Sequence, residues 1–250
     1  MPLSEDIDSL DHVPHGYTVA PAGRDVAWAI ALLAAFRFAI QVGVPLTYIV
    51  TGNTQLSEAH QVAIYCVVTV ADLGALVGTA YYFACRKYGE TFCGGFRFHS
   101  VRLDAFAGSA FAAACLVAFD LTVTSQFGEQ PTDPVWLLAP PLGAVAVSVE
   151  LLLQPFAYVL FYCGFVYGAF RALSETRAFV SAIGLYAVQS WLGRGPVSLM
   201  IAPAIMATVL TVQTSRYNSV VPALVTLFLH RLVMVALLTK SFVTGDMLVP

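Results

Sequence analysis

Residues 135–170 read VWLLAPPLGAVAVSVELLLQPFAYVLFYCGFVYGAF, with Glu150 as the one formally charged residue in the run. At ~1.5 Å per residue a helix of this length is roughly 50 Å long, more than a ~30 Å hydrocarbon core needs. The run therefore reads as a membrane-crossing helix that tilts, kinks at Pro155 or projects beyond the bilayer. An aromatic and small-residue segment follows the proline and closes on Cys163-Gly164.

The rest of the chain agrees. Of 250 residues, 58% are hydrophobic and 11% charged, and the mean hydropathy is +0.77. Soluble domains carry about a quarter charged residues, so the composition predicts an all-α, polytopic membrane helical bundle. The net charge of −3 says less than its distribution between loops. No phosphate loop, dinucleotide fingerprint or haem motif occurs, and no basic surface suggests nucleic acid. The cysteines Cys66, Cys85, Cys93, Cys115 and Cys163 are odd in number and form no CxxC, which favours small apolar fillers over a disulfide or zinc frame. Residues 1–24 form an acidic, polar tail without the basic and apolar regions of a cleavable signal. Its Asp11, His12 and His15 are too few and too loosely held to predict a metal. No cofactor is expected, although a bound lipid is compatible with the composition.

Hydropathy and turn residues place spans at about 25–50, 61–84, 103–125, 135–170, 178–192, 196–214 and 220–239. Residues 85–102 (CRKYGETFCGGFRFHSVR) mix Phe, Arg and Gly and read as an interfacial segment. With the N-terminus in the cytoplasm, Arg24, Arg86, Lys87, Arg97, Arg102, Arg171, Arg177 and Arg216 lie inside, against Arg194 and Lys240 outside. That split supports about seven transmembrane helices with the C-terminus outside, in what is expected to be a prokaryotic cell membrane. It would be lost if residues 135–170 crossed twice. Gly74, Gly78, Gly108, Gly164, Gly168 and Gly184 fit close helix packing, and Pro140-Pro141, Pro155 and Pro203 mark kinks.

Six ionisable groups fall within spans: Arg37, Asp72, Asp120, Glu150, His230 and Arg231. Each costs several kcal/mol in an apolar core unless paired or hydrated. Counting along the helices sets Arg37, Asp72, Glu150 and His230-Arg231 near mid-depth and Asp120 closer to the outer side. Two intramembrane ion pairs follow as the leading expectation, Arg37 with Asp72 and Glu150 with Arg231. A sharper alternative makes Glu150 and His230 an acid/base couple that activates water. A third puts Glu150, Asp72 and Arg37 on a proton or ion path.

Residues 145–238 resemble the CAAX-protease and bacteriocin-processing (CPBP, or Abi) family of intramembrane proteases. The likeness lies in element order. A long helix with aromatics and a Gly (AYVLFYCGFVYGAF) ends in the basic link RALSETR, followed by AFVSAIGLYAVQSW, by PVSLMIAPAIMATVLTVQT, and by SRYNSVVPALVTLFLHRLV. The resemblance implies a glutamate-activated water helped by histidines and an amide, in motifs Glu-Glu-x-x-x-Arg, Phe-x-x-x-His and His-x-x-x-Asn/Asp. Here Tyr158 and Val159 stand at the glutamates and Cys163 at the arginine. Tyr186 keeps the aromatic, Ser190 replaces the histidine, and Leu227 and Arg231 take the last motif's positions, with His230 displaced. A rival register keeps Glu150 but puts Val149 beside it and Gln154 at the arginine.

Matching elements without the catalytic letters predict a non-catalytic relative, a pseudoenzyme. It would be a structural or binding subunit of a membrane complex, or hold a lipid or lipidated peptide. Its expected partners are membrane lipids and other membrane subunits, not nucleic acid. The alternatives are an active endopeptidase using Glu150 and His230, and a small ion- or proton-coupled transporter.

Overall fold

The computed structural model describes residues 23–51, 58–127, 143–191 and 200–244. The N-terminal tail with His12 and His15, Pro140-Pro141 and Arg194 lie outside them. Every described element is helical. In chain order these are α1 (Gly23–Thr51), α2 (Glu58–Tyr81, continued by a wide turn at Tyr82–Arg86), a short α3 (Phe92–Gly95), α4 (Leu103–Phe127), α5 (Gly143–Arg171), α6 (Glu175–Trp191), α7 (Ile201–Tyr217) and α8 (Val221–Thr244). Among the described residues, four helices are long and apolar enough to cross a membrane: Gly23–Val44, Val62–Arg86, Leu103–Val123 and Gly143–Arg171. The apolar part of α8, Val221–Leu237, is shorter.

The ends of these helices follow local chemistry. Ser174 caps α6, its hydroxyl accepting from the Arg177 amide at 3.2 Å, which satisfies one of the free donors of a helix start. Asn218 ends α7 in the left-handed region at φ 46°, a conformation that asparagine tolerates better than most residues. Pro222 sits in the first turn of α8, where its missing N–H costs nothing.

Helix α5 is the post of the bundle. In α5 every side chain from Val159 to Ala169 is buried, with α2, α6, α7 and α8 packed around it. Lipid tails are as apolar as the helices, so this packing gains its energy from close contact rather than from escape from water. Phe83 of the wide turn after α2 stacks on Phe165 of α5 with ring centroids 6.1 Å apart.

α5 is not a plain α-helix bent at its proline. It carries two π-helical segments, Val149–Leu153 and Val159–Val166. The first has a direct cause. Pro155 offers no N–H and its ring crowds the carbonyl four residues back, and the ladder widens before it, with the Gln154 amide donating to the Val149 carbonyl. The second, longer segment runs through Phe161, Tyr162 and Phe165.

Residues 85–102, expected to be interfacial, also pack into the bundle. The tip of α3 enters the bundle: Phe96 is fully buried, and a Cβ placed at Gly164 would stand 2.9 Å from its ring. Arg97 follows at φ 56°, buried, with its guanidinium over the Tyr167 ring at 5.7 Å. The physical reason is the absence of a side chain at Gly164, which opens a slot one ring wide. Gly95 is equally tight, its Cβ position lying 2.5 Å from Cys85 Sγ. Gly74, Gly78 and Gly184, by contrast, face open space among the described residues and do not mark close packing there.

One end of the bundle is tied by polar contacts. Asp25 accepts from Lys87 Nζ at 2.5 Å and from the Tyr88 hydroxyl. The Val220 amide donates to the Arg97 carbonyl at 3.3 Å, Ser219 Oγ donates to the His99 carbonyl at 3.0 Å, and Arg171 donates to Asn218 Oδ1 at 2.6 Å. The basic links after α2 and α5 and the turn after α7 thus meet at the same end as the start of α1.

Candidate functional site

Three polar clusters occupy the apolar interior. The first joins α1, α2, α5 and α6. Arg37 donates twice to Asp72, Nε to Oδ1 at 2.6 Å and Nη2 to Oδ2 at 2.7 Å, the fork geometry that gives guanidinium–carboxylate pairs their strength. With the Gln189 amide oxygen turned to the guanidinium, it accepts from Nη2 at 2.6 Å, and its nitrogen donates to the Tyr162 hydroxyl. Tyr162 belongs to an aromatic triad with Tyr158 and Tyr186, whose ring centroids lie 5.2–6.1 Å apart in edge-on arrangements. Arg37 and Asp72 keep 29% and 22% of their side-chain surface open, so the pair sits at the margin of the bundle rather than at its centre.

The second cluster is Glu150, in the first π-helical segment, which accepts from the Tyr65 hydroxyl of α2. The third is His230 of α8, whose Nε2 lies 2.8 Å from Asp120 Oδ2 on α4. Of the expected acid/base couple, Glu150 is thus held from α2 and His230 from α4. The carboxylate expected opposite Arg231 receives a tyrosine hydroxyl. Arg231 itself is half-buried beside His230 on α8. No group of three or more His, Cys, Asp or Glu side chains suited to a metal occurs among the described residues.

No protein-family model, curated protein or solved structure matches this chain.

At the positions where the CPBP resemblance would require catalytic groups, the side chains are core. Val159, Cys163, Tyr186 and Leu227 are buried. Tyr158 and Ser190 are half-buried.

Several polar residues of the bundle escape a search for charge. Tyr65, Gln154, Gln189 and Thr226 are neutral, and polar neutral residues in an apolar helix are themselves the usable signal. Thr226 Oγ1 bonds Gln213 Oε1 at 2.9 Å, tying α8 to α7. Asp25 reads as a helix-start residue in the sequence, yet it is 1% exposed and holds Lys87 and Tyr88.

Proposed function

We propose that this integral membrane protein is a non-catalytic binding or structural subunit. It crosses the bilayer seven times, with its N-terminus and basic links in the cytoplasm and its C-terminus outside, and its C-terminal half is CPBP-like in element order. It lies in the membrane of a prokaryotic cell and holds a lipid or lipidated peptide, or a neighbouring subunit, rather than cleaving one. One observation carries this reading: Glu150 and His230, the two groups that would remain for hydrolysis, are each bound to a different residue, Tyr65 and Asp120. A general base must reach the proton it removes directly or through one water, and neither group is hydrogen-bonded to the other among the described residues. The meeting of the basic links at one end of the bundle supports the orientation.

Gentle purification from native membrane, followed by mass spectrometry of co-purifying lipids and proteins, tests the binding reading. A stoichiometric lipid, lipidated peptide or subunit is the expected result. The competing reading is tested in parallel: cleavage of membrane-embedded peptides by the wild type that disappears in E150Q would overturn the non-catalytic assignment.

A further inference from the structure

Two guanidiniums share one ring at the end of α5. Arg97 and Arg171 set their Cζ atoms 5.7 and 6.0 Å from the centre of the Tyr167 ring, so they lie no farther apart than those two distances together. Arg171 also donates to Asn218 Oδ1 at 2.6 Å. Asn218 is exposed and ends α7. Arg216 stands two residues before it, with its Cζ 5.7 Å from the centre of the Tyr217 ring. The Val220 amide meets the Arg97 carbonyl at 3.3 Å. Three guanidiniums from three parts of the chain thus gather around the turn between α7 and α8.

Fewer carboxylates reach this place. Glu175 accepts from Ser215 Oγ at 2.7 Å, the one carboxylate hydrogen-bonded to residues 215–220 among the described residues. Asp25 is taken by Lys87 and Tyr88, Asp104 lies 3.6 Å from Arg102, and Glu90 stands beside Gly94 of α3. Neither Arg171 nor Arg216 forms an ion pair among the described residues; Arg171 is held by a neutral amide and a ring. Like charges kept close at the margin of an apolar core repel, and an anion relieves that repulsion. A phosphate suits guanidiniums in particular, because its oxygens match their paired N–H groups.

Position selects which phosphate. The turn lies where the basic links collect, which is the headgroup level of the cytoplasmic leaflet in the orientation proposed above. Leu173, 58% exposed, follows Arg171 by two residues. Leu103, 86% exposed, starts α4, the helix whose Ser109 donates to the Pro222 carbonyl at 3.0 Å. Cations with bare leucines beside them match a molecule that carries phosphate at one end and hydrocarbon at the other. A soluble phosphate would leave the leucines uncovered. We propose that Arg171, Arg216 and Arg97 form a headgroup site for an anionic phospholipid of the cytoplasmic leaflet. Arg171 is half-buried and Arg216 exposed, so these two meet the phosphate, while Arg97, 7% exposed, adds its charge from behind. The acyl chains run along Leu173 and Leu103. The site rests on the membrane orientation and binding role proposed above and adds the class of lipid and the place.

The test is native mass spectrometry of the full chain, released from detergent micelles and titrated with phosphatidylglycerol or phosphatidylcholine of identical acyl chains. The wild type is expected to bind phosphatidylglycerol at least about tenfold more tightly. R171Q and R216Q are each expected to reduce that preference by about fivefold. R177Q, which alters an exposed arginine of the same end outside these contacts, is expected to leave it nearly unchanged. Circular dichroism checks that the variants remain helical, and the wild-type preference needs no variant. Equal preference for the two lipids overturns the proposal. So does an equal loss in R177Q, which would mean diffuse surface charge, or competition by inorganic phosphate on equal terms with the lipid. An acidic segment of a co-purified subunit crosslinked to these arginines overturns it as well. A neutral lipid or a subunit that co-purifies while phosphatidylglycerol shows no preference sinks the headgroup site and leaves the binding reading standing.

Discussion

At the scale of single residues, the polar groups of the interior matter through what happens when one member of a set is removed. Asp72→Asn leaves Arg37 with a neutral amide, and because both side chains stay partly open the loss is expected to fall below the ~3 kcal/mol of a fully buried pair. Replacing both, as R37L/D72L, removes the charges together and is expected to recover most of that loss in thermal unfolding in detergent. Lys87 behaves differently because it lies outside the spans. The hydrogen bond it donates to Asp25 raises its pKa above the usual lysine value of about 10.4. A raised value means that the contribution is fully present below the unfolded-state value and is lost as pH rises through the folded one. The unfolding temperature should therefore hold steady to about pH 10 and fall above it, and K87M should remove that part of the fall. The sequence made Arg37 and Asp72 legible as buried charges at one depth. It could not choose between partners for Glu150, because depth along a helix says nothing about which face a side chain takes, and the wide turns before Pro155 change that face.

At the scale of elements, the glycines separate slots from bare surface. A methyl at Gly164 would press the Phe96 ring at 2.9 Å, and one at Gly95 would meet Cys85 Sγ at 2.5 Å and the Ala84 carbonyl at 3.0 Å. Overpacking of this kind costs about 1–3 kcal/mol, so Gly164→Ala and Gly95→Ala should lower thermal stability and raise protease access to α3. Gly74→Ala faces open space and should leave stability unchanged or raise it by about 0.5–1 kcal/mol, as expected in a helix interior. Equal effects at Gly74 and Gly164 would contradict the inserted position of Phe96. Helix positions were readable from hydropathy to within a few residues for α1, α2 and α4. The burial of Phe96 was not, since an aromatic beside arginines reads equally well as a membrane-surface anchor.

At the scale of the whole molecule, the ties between Asp25 and Lys87, Val220 and Arg97, and Arg171 and Asn218 place four parts of the chain at one end. Single cysteines at Arg102, Arg177 and Arg216, in a background without the native cysteines, should react with an impermeant thiol reagent from the same side of sealed vesicles. Labelling from opposite sides would defeat the seven-crossing topology. The class of molecule was legible because composition and hydropathy bear on solvent, which is a property of the whole chain. The site was less so, because its decisive groups are neutral amides and hydroxyls that charge counting passes over. The two π-helical segments of α5 have one more consequence. Each amounts to an α-helix that has taken in an extra residue, so the angular phase of α5 slips at Val149–Leu153 and again at Val159–Val166. Excising one residue from the second segment would let the backbone relax toward regular winding, yet it would rotate Tyr167 and Gly168 about the axis and away from Arg97. The post can give up length more readily than it can give up phase.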